Sequence, residues 1–210
     1  MNIVSIKFTR KQSFYLNEIN KEQFYSICTN IESNLHKDDS ILMITSLSQS
    51  QNIANASAYL ALAFSEQRKR VLVVDANLRQ PSLHQVFNID NSFGLTNLLL
   101  NEKPNINEHA IHIKGHLFCI PTSEAIYEPA TLLTLETLPT LIEEWKKDFD
   151  IILFHTSDSL NKPDANIVAK YCDGIILAIQ EGRDKLEKIA GVKMQFDRAN
   201  LEISGSMIIS

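Results

Sequence analysis

The sequence predicts an α/β fold of three layers, a mostly parallel sheet between two layers of helices, and three observations carry that prediction. Short aliphatic runs recur at Ile41–Ile44, Val71–Val74, Ile151–Phe154 and Gly174–Ile179. They are brief and apolar throughout, the pattern of strands buried on both faces of a parallel sheet. Between them lie segments of helical periodicity, so strand and helix alternate along the chain. Three of the runs lead into a polar residue (Thr45, Asp75, His155), at the carboxyl ends where open parallel sheets hold their ligands.

The elements follow in order. Met1 to Phe14 reads as a strand or arm, and Asn17 to Leu35 as a helix, with Phe24, Ile27, Cys28, Ile31 and Leu35 on one side. Ile41 to Thr45 is the first core strand. Asn52 is placed to cap an Ala/Leu-rich helix over Ile53 to Glu66. After the strand ending at Asp75, Pro81 opens a short helix to Phe87, and Gly94 to Leu100 is another. His116 to Ile120 is a strand stopped by Pro121. Ala130 to Lys147 reads as a helix interrupted or bent near Pro139. Beyond the Ile151 run come a helix from Pro163 to Tyr171, a strand over Gly174–Ile179, a helix from Arg183 to Ala199 and a final strand over Ser206–Ile209. The 210 residues read as a single domain, an N-terminal arm and helix over 1–38 and a core over 39–210.

Bulk properties exclude several classes. A formal net charge of -5 argues against nucleic acid as the main partner. No stretch approaches the roughly 18 apolar residues that span a bilayer, and the start carries no signal-peptide core. Three scattered cysteines (Cys28, Cys119, Cys172) read as reduced, which points to a cytoplasmic protein, held at the membrane only through a partner if at all. Lys7, Arg10 and Lys11 read as a solvated basic arm.

The junction Ile41 to Asn55, ILMITSLSQSQNIAN, is where a phosphate-binding protein of this architecture would carry G-x-x-x-x-G-K-[ST]. There the glycines let backbone N–H groups close on phosphate, the lysine reaches the terminal phosphates and the hydroxyl holds Mg²⁺. This loop (Ser46, Gln49, Ser50, Gln51, Asn52, Ile53, Ala54) has no glycine, no lysine and no hydroxyl at its last position. The frame of a nucleotide site stands without its chemistry.

The stretch VLVVDANLRQPSLHQVFNIDNSFGLTNLLL, Val71 to Leu100, resembles the bacterial tyrosine kinases of capsule and exopolysaccharide synthesis, relatives of the MinD/ParA group of P-loop ATPases with a deviant Walker motif. Asp75, Arg79, Pro81, Gly94, Leu95 and Leu98 match that family's D-x-D-x-R-x-P and G-L-[ST]-x-[LV]-L. Thr45–Ser46, Asp164–Ala165 and Asp173–Gly174 follow in family order. The resemblance implies a P-loop NTPase-like fold and, in a typical member, Mg-ATP and phosphoryl transfer to tyrosine.

The departures fall on chemistry. Ile53 occupies the family's lysine position and Ala54 its metal-binding hydroxyl, while Ser50 and Asn52 replace glycines. Asn77 replaces the second acid of D-x-D, and His155 the Walker B acid. The ring-forming E-x-x-R-x-x-R appears as Glu22, Tyr25, Cys28, and these 210 residues lack the family's tyrosine-rich tail. A charge-assisted hydrogen bond contributes about 1.5–3 kcal/mol, and micromolar affinity is about 8 kcal/mol. Losing lysine and metal hydroxyl together therefore predicts millimolar binding or weaker.

The remaining candidates have plainer readings beside them. Asp75 could hold a metal or water, or cap a neighbouring loop. Arg79 could meet a phosphate or a partner's carboxylate, or form an ion pair with Asp75 or Asp90. His155 could act as acid or base, or be a hydrogen-bonded core residue. His109, His112 and His116 have metal-ligand spacing for a helix, but Ile111, Ile113 and Leu117 favour strand and Gly115 breaks a helix, so they read as loop residues with no metal expected.

The expectation is a catalytically degenerate kinase-like protein with no cofactor. Asp75, Asn77, Arg79 and His155 would be vestiges. Its partner would be the cytoplasmic tail of a membrane polysaccharide co-polymerase or an active kinase paralogue, with a homo-oligomer possible. The alternative is a divergent tyrosine kinase or ATPase that binds Mg-ATP through rebuilt contacts from Arg79 or Lys69.

Overall fold

The computed structural model describes residues 3–6, 18–36, 40–48, 52–101, 109–123, 128–156, 158 and 162–209, with backbone alone for 3–6 and 18–20. An eight-stranded sheet runs in the order β1-β8-β7-β2-β6-β3-β5-β4. Its strands are β1 (Ile3–Ile6), β2 (Ile41–Ser46), β3 (Val71–Asp75), β4 (Ile111–Lys114), β5 (Leu117–Ile120), β6 (Ile151–His155), β7 (Gly174–Gln180) and β8 (Ile203–Ile209). All neighbouring strands pair in parallel except β4 with β5. Every residue of β2, β3 and β6 is buried, which is why these strands read as unbroken apolar runs.

The two faces carry separate cores. On one, α1 (Glu18–Asn34), α2 (Asn52–Glu66) and α3 (Leu83–Phe87) cover Leu42, Ile44, Val71, Val73 and Leu153. On the other, α4 (Leu95–Leu100), α5 (Pro129–Leu133), α6 (Thr137–Asp148), α7 (Asp164–Ala169) and α8 (Leu186–Arg198) cover Met43, Leu72, Val74 and Phe154. Helix α2 is buried from Ile53 to Ser65 apart from Asn55, so it has no solvent stripe and its sequence is apolar all round.

The structure sharpens or changes several expectations. The segment Ala130–Lys147, read as interrupted or bent near Pro139, is interrupted and forms two helices, α5 and α6. Pro139 bends neither, because it lies in the first turn of α6, where a missing N–H goes unnoticed. The histidine segment holds an extra edge strand, β4, antiparallel to β5 through a turn at Gly115, whose φ of 57° suits glycine. The last strand begins at Ile203 rather than Ser206. Within Met1–Phe14, Ile3–Ile6 pairs with β8, while Lys7, Arg10 and Lys11 lie outside the described residues.

Strands β3 and β6 are neighbours, and the chain leaves β3 toward β4 and β5 but leaves β6 toward β7, in opposite directions across the sheet. Such a divergence opens a crevice at the carboxyl ends of the strands. Asp75 and His155 are register partners there.

Candidate functional site

At the end of β3, Asp75 is fully buried and turned to its own chain. Its Oδ2 accepts the backbone N–H groups of Ser82 and Leu83, each at 2.9 Å, and its Oδ1 that of Asn77 at 3.2 Å. The carboxylate thus satisfies donors at the first turn of α3 that no helical carbonyl reaches. Thr122 donates its hydroxyl to the Asp75 carbonyl, tying β3 to the segment after β5. That segment meets Gly94 closely: a Cβ there would sit 2.1 Å from the Pro121 oxygen, so only glycine lets Leu95 N–H reach the Pro121 carbonyl at 2.8 Å and start α4.

Asn77 keeps its side chain local, accepting the Gln80 N–H at 3.3 Å. Arg79 pairs with neither Asp75 nor Asp90. It makes a bidentate pair with Asp164 at the start of α7, Nε to Oδ2 at 2.6 Å and Nη2 to Oδ1 at 3.1 Å. Asp164 is nearly inaccessible, and this hydrogen bond raises the Arg79 pKa further above its ordinary value.

His155 is fully buried at the end of β6. Its Nδ1 lies 3.0 Å from Ser57 Oγ on α2, and its Nε2 lies 3.3 Å from Ser82 Oγ. Ser57 gives its one proton back to the Ile53 carbonyl at 2.8 Å, a common arrangement for a helical serine. Donor counting then assigns the ring proton to Nδ1 and leaves Nε2 to accept from Ser82. Burial lowers the His155 pKa, against a smaller upward pull from Asp75, so the neutral ring is favoured.

The described part of the loop is lined differently from a phosphate cradle. Ile53 and Ala54 are 4% and 2% exposed and pack into the α1–α2 core. Ser46 donates to the Ser48 carbonyl at 2.9 Å, and Ser48 donates to Asp184 Oδ1 at 2.8 Å, so a carboxylate closes this end of the loop. Gln49, Ser50 and Gln51 lie outside the described residues.

Lys69 stands at the opposite end of the sheet, just before β3, with its ammonium on Glu32 and 5.7 Å from the centre of the Phe64 ring. His112 is exposed on β4, bonded to the Gly115 carbonyl, and His109 stacks on Phe93 at 4.8 Å. Among the described residues no three His, Cys, Asp or Glu side chains form a metal cluster.

These residues do not fit a magnesium nucleotide. The lysine and hydroxyl positions hold buried hydrocarbon, the Walker B position holds a neutral imidazole bonded on both nitrogens, and the remaining acid is engaged by three backbone donors. No binding or transfer step is derived through that group.

Of the sequence candidates, Asp75, Asn77 and His155 do come together at one end of the sheet, and Arg79 lies beside them. Sequence reasoning missed Ser57, Ser82 and Asp164 as their partners. The signal for Ser57 was available: a hydroxyl in a helix apolar on every side must find an acceptor inside. Helix α1 also departs from the ring motif, since Cys28 is fully buried and Tyr25 donates its hydroxyl to Glu66 at 2.7 Å beneath the Lys21 ammonium.

Comparison with known proteins supplies the family. The tyrosine-protein kinase YwqD of Bacillus subtilis is 31% identical over 193 residues, covering 90% of this chain and 81% of that protein. The chain belongs to the bacterial tyrosine kinase family. Other members include the tyrosine-protein kinase CpsD of Streptococcus agalactiae serotype III, 29% identical and matched over 90% of this chain and 81% of its own length. The putative kinase CapB of Staphylococcus aureus is 24% identical, over 89% of this chain and 82% of its own length.

No family model matches the chain. The fold is that of the kinase domain of Escherichia coli ETK, with a TM-score of 0.87 over 99% of this chain and 89% of that one at 20% identity. MinD in the Aquifex aeolicus MinC:MinD complex shares it at a TM-score of 0.66, over 81% of this chain and 68% of that one at 18% identity. Among the described residues no helix of this family member is long and apolar enough to cross a membrane.

Proposed function

We propose that this member of the tyrosine kinase family is catalytically degenerate and acts by binding rather than by phosphoryl transfer. The observation that carries this reading is the His155 cluster. At the position where the family's acid would anchor metal, a neutral imidazole links α2 to Ser82 through two hydrogen bonds, beside the buried apolar side chains of Ile53 and Ala54. Phosphoryl transfer depends on positioning and charge neutralisation, with little covalent chemistry from the protein, so loss of the groups that hold metal and phosphate strikes the whole mechanism. A second support is Asp75, whose carboxylate stabilises α3 as it stands.

The role that remains is that of a scaffold or regulator in a capsule or exopolysaccharide system, on the cytoplasmic side of the membrane. The partner is the cytoplasmic tail of a membrane polysaccharide co-polymerase or an active kinase of the same family. The names of the relatives favour the competing reading, a working tyrosine kinase, and one experiment separates the two. The purified chain is incubated with radiolabelled Mg-ATP, alone and with an active family kinase plus its tyrosine substrate. The scaffold reading expects no label transfer by the chain alone and a changed rate of transfer by the active kinase. Transfer by the chain alone, lost on Asp75→Asn, overturns it.

A further inference from the structure

Two of the four large hydrophobic side chains most exposed among the described residues lie on one helix. Leu186 is 80% exposed and Met194 is 53% exposed, and both belong to α8. The inner side of α8 is held by Val192 and Phe196 in the core. At 100° per residue, Glu187, Ala190, Gly191, Met194, Asp197 and Arg198 fall on the opposite side, with Leu186 and Lys193 at its margin and Lys193 donating to Asp197 at 2.7 Å. All are exposed. A helix carrying one apolar stripe inward and a second outward is underused as a monomer.

We propose that this outer face of α8 is a homodimer surface, in which α8 packs antiparallel on the α8 of a second copy about a two-fold axis between residues 192 and 193. The occupant is a second copy because the face complements itself. In an isologous antiparallel pair each position meets the one equally far on the other side of the axis. Glu187 then faces Arg198 of the other copy, opposite charges at both ends of the contact. Met194 comes over Gly191, with Ala190 beside it, and these small residues leave a hollow for the methionine. Nothing lies within 4 Å of where a Gly191 Cβ would be, so the hollow is open in the single chain. A parallel arrangement would instead set Glu187 against Glu187 and Arg198 against Arg198.

The outer face of α8 shares no residue with the Asp75–His155 cluster, and the inference does not rest on the kinase-like domain being inactive. A 13-residue helix is ~20 Å long, so a helix-on-helix contact falls below the ~1,200 Å² of standard stable interfaces. The dimer is therefore weak and concentration-dependent.

The test is sedimentation equilibrium of the full chain over a wide concentration series, with four variants. The wild-type chain moves from monomer toward dimer mass as concentration rises. Met194→Glu and Gly191→Gln each shift the midpoint at least tenfold higher. Gln forms helix better than Gly, so Gly191→Gln leaves the fold at least as stable and its effect is not one of misfolding. Glu187→Arg weakens association, and the double variant Glu187→Arg with Arg198→Glu restores it, because the pair is re-formed in reverse. A monomer at every concentration overturns the proposal. So does a dimer indifferent to Met194→Glu and Gly191→Gln, or a double charge variant no better than the single one.

Discussion

The adjacent ends of β3 and β6 went different ways. At β3 the family's acid is present as Asp75, yet its oxygens hold the N–H groups of Asn77, Ser82 and Leu83. At β6 the acid is replaced by His155, which lies between Ser57 and Ser82. One residue kept its identity and the other lost it, and both now do the same work, joining the turn before α3 to its surroundings. A matching residue is therefore read by its contacts as well as by its identity. What decides is which atoms its polar groups already satisfy.

The largest expected effect breaks the comparison on the β3 side. Asp75→Ala leaves three N–H groups in or beside the core without their acceptor, which at about 1–3 kcal/mol for each fully buried group should cost several kcal/mol of stability by denaturant unfolding. Were Asp75 instead kept for a ligand, its removal would leave stability unchanged or raised. A smaller loss, about 2–4 kcal/mol, is expected for Ile53→Lys, since the ammonium enters an apolar core in place of a well-packed side chain. If that lysine is tolerated without cost, the loop is still open toward a phosphate site.

Arg79→Ala leaves the Asp164 carboxylate buried without its ion-pair partner. Because Arg79 is itself about a third exposed, the loss is about 1–3 kcal/mol, below that of a fully buried pair. Asp164→Asn should lose less than Arg79→Ala, since it leaves no buried charge.

The β6 side gives the smallest and most specific effect. Burial lowers the His155 pKa below its ordinary 6.5, so the unfolded chain takes up a proton there before the folded one does. Stability from the neutral ring is intact above about pH 6.5 and is lost as pH falls from there toward the lowered folded value. In His155→Gln that part of the acid-side slope should vanish in pH-dependent unfolding. An unchanged slope would mean the ring titrates as freely folded as unfolded.

Much of this was legible in the sequence, for physical reasons. Strands buried on both faces have to be aliphatic, so β2, β3, β6 and β7 were visible as runs. Asp75 and His155 were placed because each ends such a run. That Ile53 and Ala54 stand where the family carries a lysine and a hydroxyl needed only the residue types. Long-range pairing was not legible: Arg79 meets Asp164 across 85 positions, a contact set by where α7 packs, against α5 and over β2. The break between α5 and α6 was legible as an interruption near Pro139, but its place at Thr134–Glu136 was not, because helical spacing continues on either side. The edge strand β4 was legible only as strand character at Ile111 and Ile113, and its pairing with β5 across the Gly115 turn was not.

Calorimetric titration of the purified chain with Mg-ATP tests the central claim most directly. A site filled by its own hydrogen bonds should give no saturable heat up to several millimolar nucleotide. A one-to-one isotherm with micromolar Kd, weakened by Asp75→Asn, would contradict it.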